Sequence, residues 1–182
     1  MCVYSILFFS IILVISISCH AQSNRISHWF FGFNNHFDFS DTANPKLTRE
    51  GNTYTWGNTA TMSDKKGNLL FYTDGETVWN KQHKQMINGT GLHGSAADGQ
   101  GSIIIPFVGV KYKYYIFTVD GEQNNPIKNI PWKFQHDSSL SYSIVDMRLD
   151  DGKGAITVKN IPLLKTVDQT LTAIQHANKR DF

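Results

Sequence analysis

The sequence predicts an all-β chain built from tandem four-stranded units, and three observations carry that prediction. The run Leu69-Leu70-Phe71-Tyr72-Thr73-Asp74-Gly75 returns as Tyr115-Ile116-Phe117-Thr118-Val119-Asp120-Gly121, 46 residues later. Each copy is an apolar, aromatic and β-branched run closed by Asp-Gly, the pattern of a strand entering a tight turn. The composition agrees: 13% of residues are aromatic, only 18% are charged and 14 are glycine, a balance that suits sheets better than helices. A strand-built period in the forties is that of a propeller blade, so the expected architecture is an incomplete β-propeller of about two blades with flanking strands.

The first 21 residues are expected to lie outside this fold. Val3 to Ile17 is almost wholly apolar, and Cys19-His20-Ala21 ends in a small residue before Gln22. The segment reads as a secretory signal cleaved after Ala21, although no Lys or Arg precedes the apolar run. Two other readings stay open. One is a lipoprotein signal with Cys19 acylated, which Ser16-Ile17-Ser18 fits only loosely. The other is an uncleaved anchor, for which the run is shorter than the ~20 residues that span a bilayer. Cys2 and Cys19 both lie in this leader. A chain cleaved after Ala21 therefore has no disulfide, thiolate nucleophile or cysteine-bound metal, and relies on core burial for stability.

Within residues 22–182 the elements read in order. Trp29-Phe30-Phe31-Gly32-Phe33 is an aromatic strand, with Trp29 expected in the core. Asn34 to Asn52, polar and holding Pro45 and Gly51, reads as a long loop, and Thr53-Tyr54-Thr55-Trp56 as a short alternating strand. Thr59–Ser63 and Asn68–Thr73 flank Asp64-Lys65-Lys66-Gly67, where Asp64 caps the turn and Gly67 supplies a positive φ. After Asp74 and Gly75 come Thr77–Asn80, with Trp79 in the core, and a weaker Lys84–Ile87 ended by Asn88-Gly89. The first unit spans about 53–92. The second spans about 101–162: Ser102–Ile105, continuous and apolar as for a strand buried on both faces, then Lys113–Val119, Leu140–Met147 and Ala155–Ile161. At the same offset, Ala60-Thr61-Met62 falls on Pro106-Phe107-Val108 as the preceding strand. Residues 122–139, with Pro126 and Pro131, read as an insertion on one face. Leu171–His176 reads as the first strand of a third unit, 170–182. Two units and a strand cannot close a ring without exposing unpaired edges and apolar faces, so the chain is expected to be a fragment of a longer protein, or else a half-propeller or open sandwich.

Several of these phrases together resemble one bacterial family. They are Trp29-Phe30-Phe31-Gly32, Gly67-Asn68-Leu69-Leu70-Phe71-Tyr72-Thr73-Asp74-Gly75, Val78-Trp79-Asn80, Met86-Ile87-Asn88-Gly89-Thr90-Gly91-Leu92, Tyr114-Tyr115-Ile116-Phe117-Thr118-Val119-Asp120, Tyr142-Ser143-Ile144-Val145-Asp146-Met147 and Leu171-Thr172-Ala173-Ile174-Gln175-His176-Ala177-Asn178. In this order they are similar to the amino-terminal, WD-type propeller-like region of exported Bacteroidota proteins associated with gliding motility and type IX secretion. The resemblance implies export to the cell surface or envelope, dealings with the export machinery, and further downstream blades. It implies no active site, and no sorting domain is visible in this chain.

Candidate chemistry is sparse. The formal net charge of +2, from 17 basic and 15 acidic residues, speaks against nucleic acid. Gly89-Thr90-Gly91-Leu92-His93-Gly94 has dinucleotide-fingerprint spacing, but the small residues that follow lack the helix this motif needs; it reads as a flexible loop between blades. Asp74 and Asp120 occupy equivalent places before Gly75 and Gly121, which argues for turn capping rather than a catalytic pair. Asp150-Asp151-Gly152 lacks calcium-loop spacing, the six histidines after the leader show no ligand spacing, no Gly-x-Ser-x-Gly elbow occurs, and Asn88-Gly89-Thr90 reads as a turn. No catalytic residue, cofactor or metal is therefore expected. Trp132, in the proline-flanked insertion, is the candidate ligand contact. The expected function is an exported binding or scaffold module recognising a glycan or surface protein through propeller loops. The alternatives are a fragment of a carbohydrate-active propeller enzyme and a structural spacer for a sorting domain.

Overall fold

The computed structural model describes residues 24–120 and 138–174. Among these residues the chain is all-β apart from short 3₁₀ turns. Strands β1 (His28–Phe31), β2 (Asn35–Asp38) and β3 (Lys46–Thr48) form a small antiparallel sheet. Strands β4 (Ala60–Ser63), β5 (Leu69–Thr73), β6 (Thr77–Asn80) and β7 (Gln85–Thr90) run as one antiparallel meander. A second follows: β8 (Ser102–Pro106), β9 (Lys113–Val119), β10 (Ser139–Asp146) and β11 (Ala155–Lys165).

The repeated phrase occupies β5 and β9, the second strand of each meander. At the end of the phrase, Asp74 N–H donates to Thr77 O (3.4 Å) and Asp120 N–H to Ser139 O (3.0 Å), each acceptor being the first residue of the next strand.

The two meanders join where β7 meets β11 through a parallel pairing, Ile87 with Ala155. The result is one eight-stranded mixed sheet in the order β4-β5-β6-β7-β11-β10-β9-β8. Its end strands β4 and β8 approach each other, so the sheet nearly closes into a barrel. Every strand sends at least one side chain into the interior: Met62, Phe71, Val78, Met86, Ile104, Tyr114, Ile116, Val145 and Ile156, all under 9% exposed. Eight strands enclose a space that side chains alone can fill, and dispersion and apolar burial there hold the meanders together.

The phrase repeats in place but not in direction. Phe71 is fully buried in the shared interior, whereas its counterpart Phe117 points away from it, half-buried beside Tyr142. Ile116 is fully buried in the interior, and Leu70, its counterpart, is half-buried and packs against the margin of the same core. Phe71 and Phe117, equivalent in the repeat, thus lie on opposite faces of the continuous sheet.

The small sheet covers the outer face of β5 and β6. Phe30 stacks on Tyr72 (centroids 3.7 Å apart, 7° between planes), and Tyr72 stacks in turn on Trp79. This is why Tyr72 is fully buried although it points away from the main core.

Several expectations need correcting. Residues 34–52 contain strands β2 and β3 rather than only loop. Positive φ at Gly32 (55°) and Asn34 (60°) turns the chain back after β1, and the histidine and phenylalanine of β2 supply the sheet contacts. Thr53–Trp56 alternates in burial but joins no ladder beyond one bridge, Phe33 with Tyr54. Its threonines, not its aromatics, point inward, because Thr55 bonds the carbonyls of Asn58 and Ala96. Trp29 is 53% exposed rather than core; its indole N–H is satisfied at the surface by Ile26 O (2.9 Å). Strand β7 continues through Asn88 and Gly89 to Thr90. β8 is buried on one face only, with Ile104 in and Ile103 and Ile105 half-buried. The partner preceding β9 is Ser102–Pro106, not Pro106–Val108, because the second hairpin has longer arms. Residues 171–174 form no strand; the nearest pairing is a single parallel bridge of Thr170 to Gln100. The glycine-rich segment after β7 is packed rather than loose. Leu92 and Ser95 are buried, and the backbone N–H groups of Leu92 and Ala96 bond the carbonyl and carboxylate of Glu76.

A candidate binding cleft between two hairpin turns

Each meander opens with a hairpin, and both hairpin turns emerge at the same end of the molecule. The β4–β5 turn (64–68) and the β8–β9 turn (107–112) face each other across a cleft of about 670 Å³.

The first wall is locked by one carboxylate. Asp64 accepts the backbone N–H of Lys66 (2.7 Å) and of Asn68 (3.0 Å) and the Asn68 side-chain amide (2.8 Å). Burial pushes this carboxyl up, but the hydrogen bonds outweigh it and hold it below the ordinary range. Gly67, at φ 93°, closes the turn. Lys65 and Lys66 are thereby presented, exposed, on a fixed loop.

The turn is also held from behind. His28 Nε2 lies 3.0 Å from Gly67 O, His28 Nδ1 lies 2.9 Å from His36 Nε2, and His36 Nδ1 lies 3.2 Å from the Thr48 hydroxyl. A carbonyl only accepts, so His28 carries a proton on Nε2 toward Gly67 O. Burial, then the positive charge of His28 and His83, lowers the pKa of His36 from 6.5 to about 4, with Asp38 and Glu50 opposing. His83 is lowered by burial as well and lies against the Tyr72 hydroxyl (3.2 Å), whose own pKa burial pushes up to about 12.

The second wall is the loop Phe107-Val108-Gly109-Val110-Lys111-Tyr112. Phe107 N–H closes it on Lys113 O (2.9 Å), and Met147 N–H ties Tyr112 O to the end of β10 (2.8 Å). Phe107 stacks on Tyr115 (4.4 Å, 16°). Gly109 and Tyr112 both sit at positive φ, 73° and 67°. Tyr112 is 59% exposed and Lys111 is exposed. Lys113 is opposite Asp146, which Arg148 grips (2.6 Å) and holds at a pKa of about 2. Arg25 completes the basic lining, so among the described residues the cleft is lined by five cations and one carboxylate, Asp64, which is committed to its own turn.

The residues singled out in the sequence fall elsewhere, Asp64 and Gly67 excepted. Asp74, buried, accepts the backbone N–H of Glu76 (3.0 Å) and Thr77 (2.8 Å) through one oxygen; burial nevertheless leaves its carboxyl above the ordinary range. Gly75 has φ 95° and abuts Asn58 and Ser102. These turns lie at the opposite end of β5 from the cleft. Asp120 begins the turn after β9, and Cys19, Gly121 and Trp132 lie outside the described residues. Among the described residues no group of three or more His, Cys, Asp or Glu side chains is placed to hold a metal ion, and no helix is long and apolar enough to cross a membrane. The cleft itself escaped the sequence reading. Lys65-Lys66 and Lys111-Tyr112-Lys113 are ordinary turn residues in the chain, and only the stacking of the two meanders sets them face to face. No family model, curated protein or solved structure matches the chain.

Proposed function

We propose that this chain is an exported binding or scaffold module of the bacterial cell envelope, without catalysis of its own. In this reading it is a propeller-like stack that recognises a glycan or surface protein through loops at one end. The observation that carries the reading is the cleft between the equivalent hairpin turns of two consecutive four-stranded units. Concave sites with braced walls suit recognition, because little ordering remains to oppose binding. Two consecutive four-stranded meanders around one core support the propeller-like arrangement. Tyr115, Phe117 and Tyr142 form a half-buried aromatic cluster on the second unit, where a further blade would continue the stack. The reading also keeps Trp132 as a second contact.

The test is binding of the purified chain to a glycan array and to envelope-protein extracts, in wild type, Tyr112→Ala and Trp132→Ala. The expected result is binding of at least one glycan or envelope protein that weakens in the Tyr112 or Trp132 variant. Silence on both panels would sink the proposal.

A further inference from the structure

Resting on that reading, we propose that the cleft between the β4–β5 and β8–β9 turns binds an acidic saccharide, one bearing carboxylate or sulfate groups. Three features point there. The first is charge. The chain as a whole carries only +2, yet Arg25, Lys65, Lys66, Lys111 and Lys113 converge on one cleft whose one carboxylate among the described residues, Asp64, already accepts three hydrogen bonds from its own turn. Lys113 is offset by Asp146 across the β9–β10 ladder. Lys66 and Lys111 are exposed, one on each wall, so an anion between them draws on both.

The second feature is the lining. Lysines that serve only solubility stand on convex tips and need nothing beneath them. Here they share the lining of the cleft with Pro106, Phe107, Tyr112 and Tyr114. Alternating anionic groups and C–H faces along a saccharide match a lining that is both cationic and aromatic.

The third feature is shape, which decides among anionic ligands. A membrane surface is broad and flat and favours a convex apolar tip, whereas this site is a recess. An acidic peptide docks best by extending an open sheet edge, but the edge strands β4 and β8 pack against each other. A saccharide chain needs neither.

The experiment measures the affinity of the purified chain for an oligogalacturonate, its neutral methyl ester, a sulfated oligosaccharide of similar length, an aspartate-rich peptide and phosphatidylglycerol vesicles. The expected result is binding of the oligogalacturonate, the sulfated oligosaccharide or both, whichever anion proves preferred. That binding weakens by about tenfold or more in the double variant Lys66→Glu, Lys111→Glu and falls steeply between about 0.05 and 0.5 M salt. An unchanged unfolding midpoint in the variant separates lost contact from lost fold. Equal binding of the methyl ester, tighter binding of the peptide or vesicles, no binding of either acidic saccharide, or indifference to the double charge reversal would each overturn the inference. A neutral saccharide on the array with no salt dependence sinks this inference alone, whereas an empty array and empty extracts sink the binding module itself.

Discussion

At the scale of single residues, the most consequential arrangement is the buried chain Gly67–His28–His36–Thr48. It links four polar groups in one hydrogen-bonded chain and ties the small sheet to the turn that carries Lys65 and Lys66. Its cost is sensitivity to acid. His36 titrates near 6.5 when unfolded and at about 4 when folded, so the unfolded chain takes up the proton first. Stability is fully present above pH 6.5 and declines as pH falls toward 4, by on the order of 2–3 kcal/mol. Urea midpoints measured across that range should fall in the wild type and flatten in His36→Asn. Asp38, Asp64 and Asp146 act in a separate, lower window, below the ordinary carboxylate value of 3.8. A wild-type midpoint that is constant from pH 7 to 4.5 would contradict the lowered pKa of buried His36. Nothing in the spacing of His28 and His36 announces this pairing. It arises because β1 and β2 are antiparallel and bring alternate residues of both strands to one face.

At the scale of elements, β5 and β9 show how far a repeat can be read. The phrase ending in Asp-Gly identified both strands, their order in each meander and the turn after β5, since these depend on local apolar alternation and turn chemistry. It did not reveal which face of each strand the other unit covers. Phe71 and Phe117 are the same letter of the repeat, yet one fills the shared interior and the other lies beyond it. Phe71→Ala should cost about 3–5 kcal/mol and Phe117→Ala only about 1–2. Chemical denaturation of the two variants tests this, and equal losses would mean that the assignment of the two to opposite faces is wrong. Residues 34–52 show the opposite limit. Their polar composition hid β2 and β3, because a small sheet whose outer surface meets water does not need apolar runs.

At the scale of the whole molecule, the seam between β7 and β11 decides whether there are two sheets or one. The ladder there is a single pair, Ile87 with Ala155, so side chains do the joining. Asn88 donates to Ile156 O (3.1 Å), Lys159 donates to Asn88 Oδ1 and Thr90 O (both 2.9 Å), and Asn160 bridges Gly91 and His93. Asn88 also holds a positive φ of 57°, which Asn tolerates better than most residues. Asn88→Ala should therefore cost about 1–2 kcal/mol and speed hydrogen exchange at the facing ends of β7 and β11 while leaving β5 and β9 protected. Uniform deprotection would show instead that the two meanders open as one. The sequence by itself determined the all-β class, the strand-rich tandem repeat and most strand positions, because these follow from side-chain alternation and from turn residues a few positions apart. Only the tertiary structure decided the near-closed sheet, the histidine pair and the basic cleft. Each of those depends on residues tens of positions apart, brought together by one meander packing against the next.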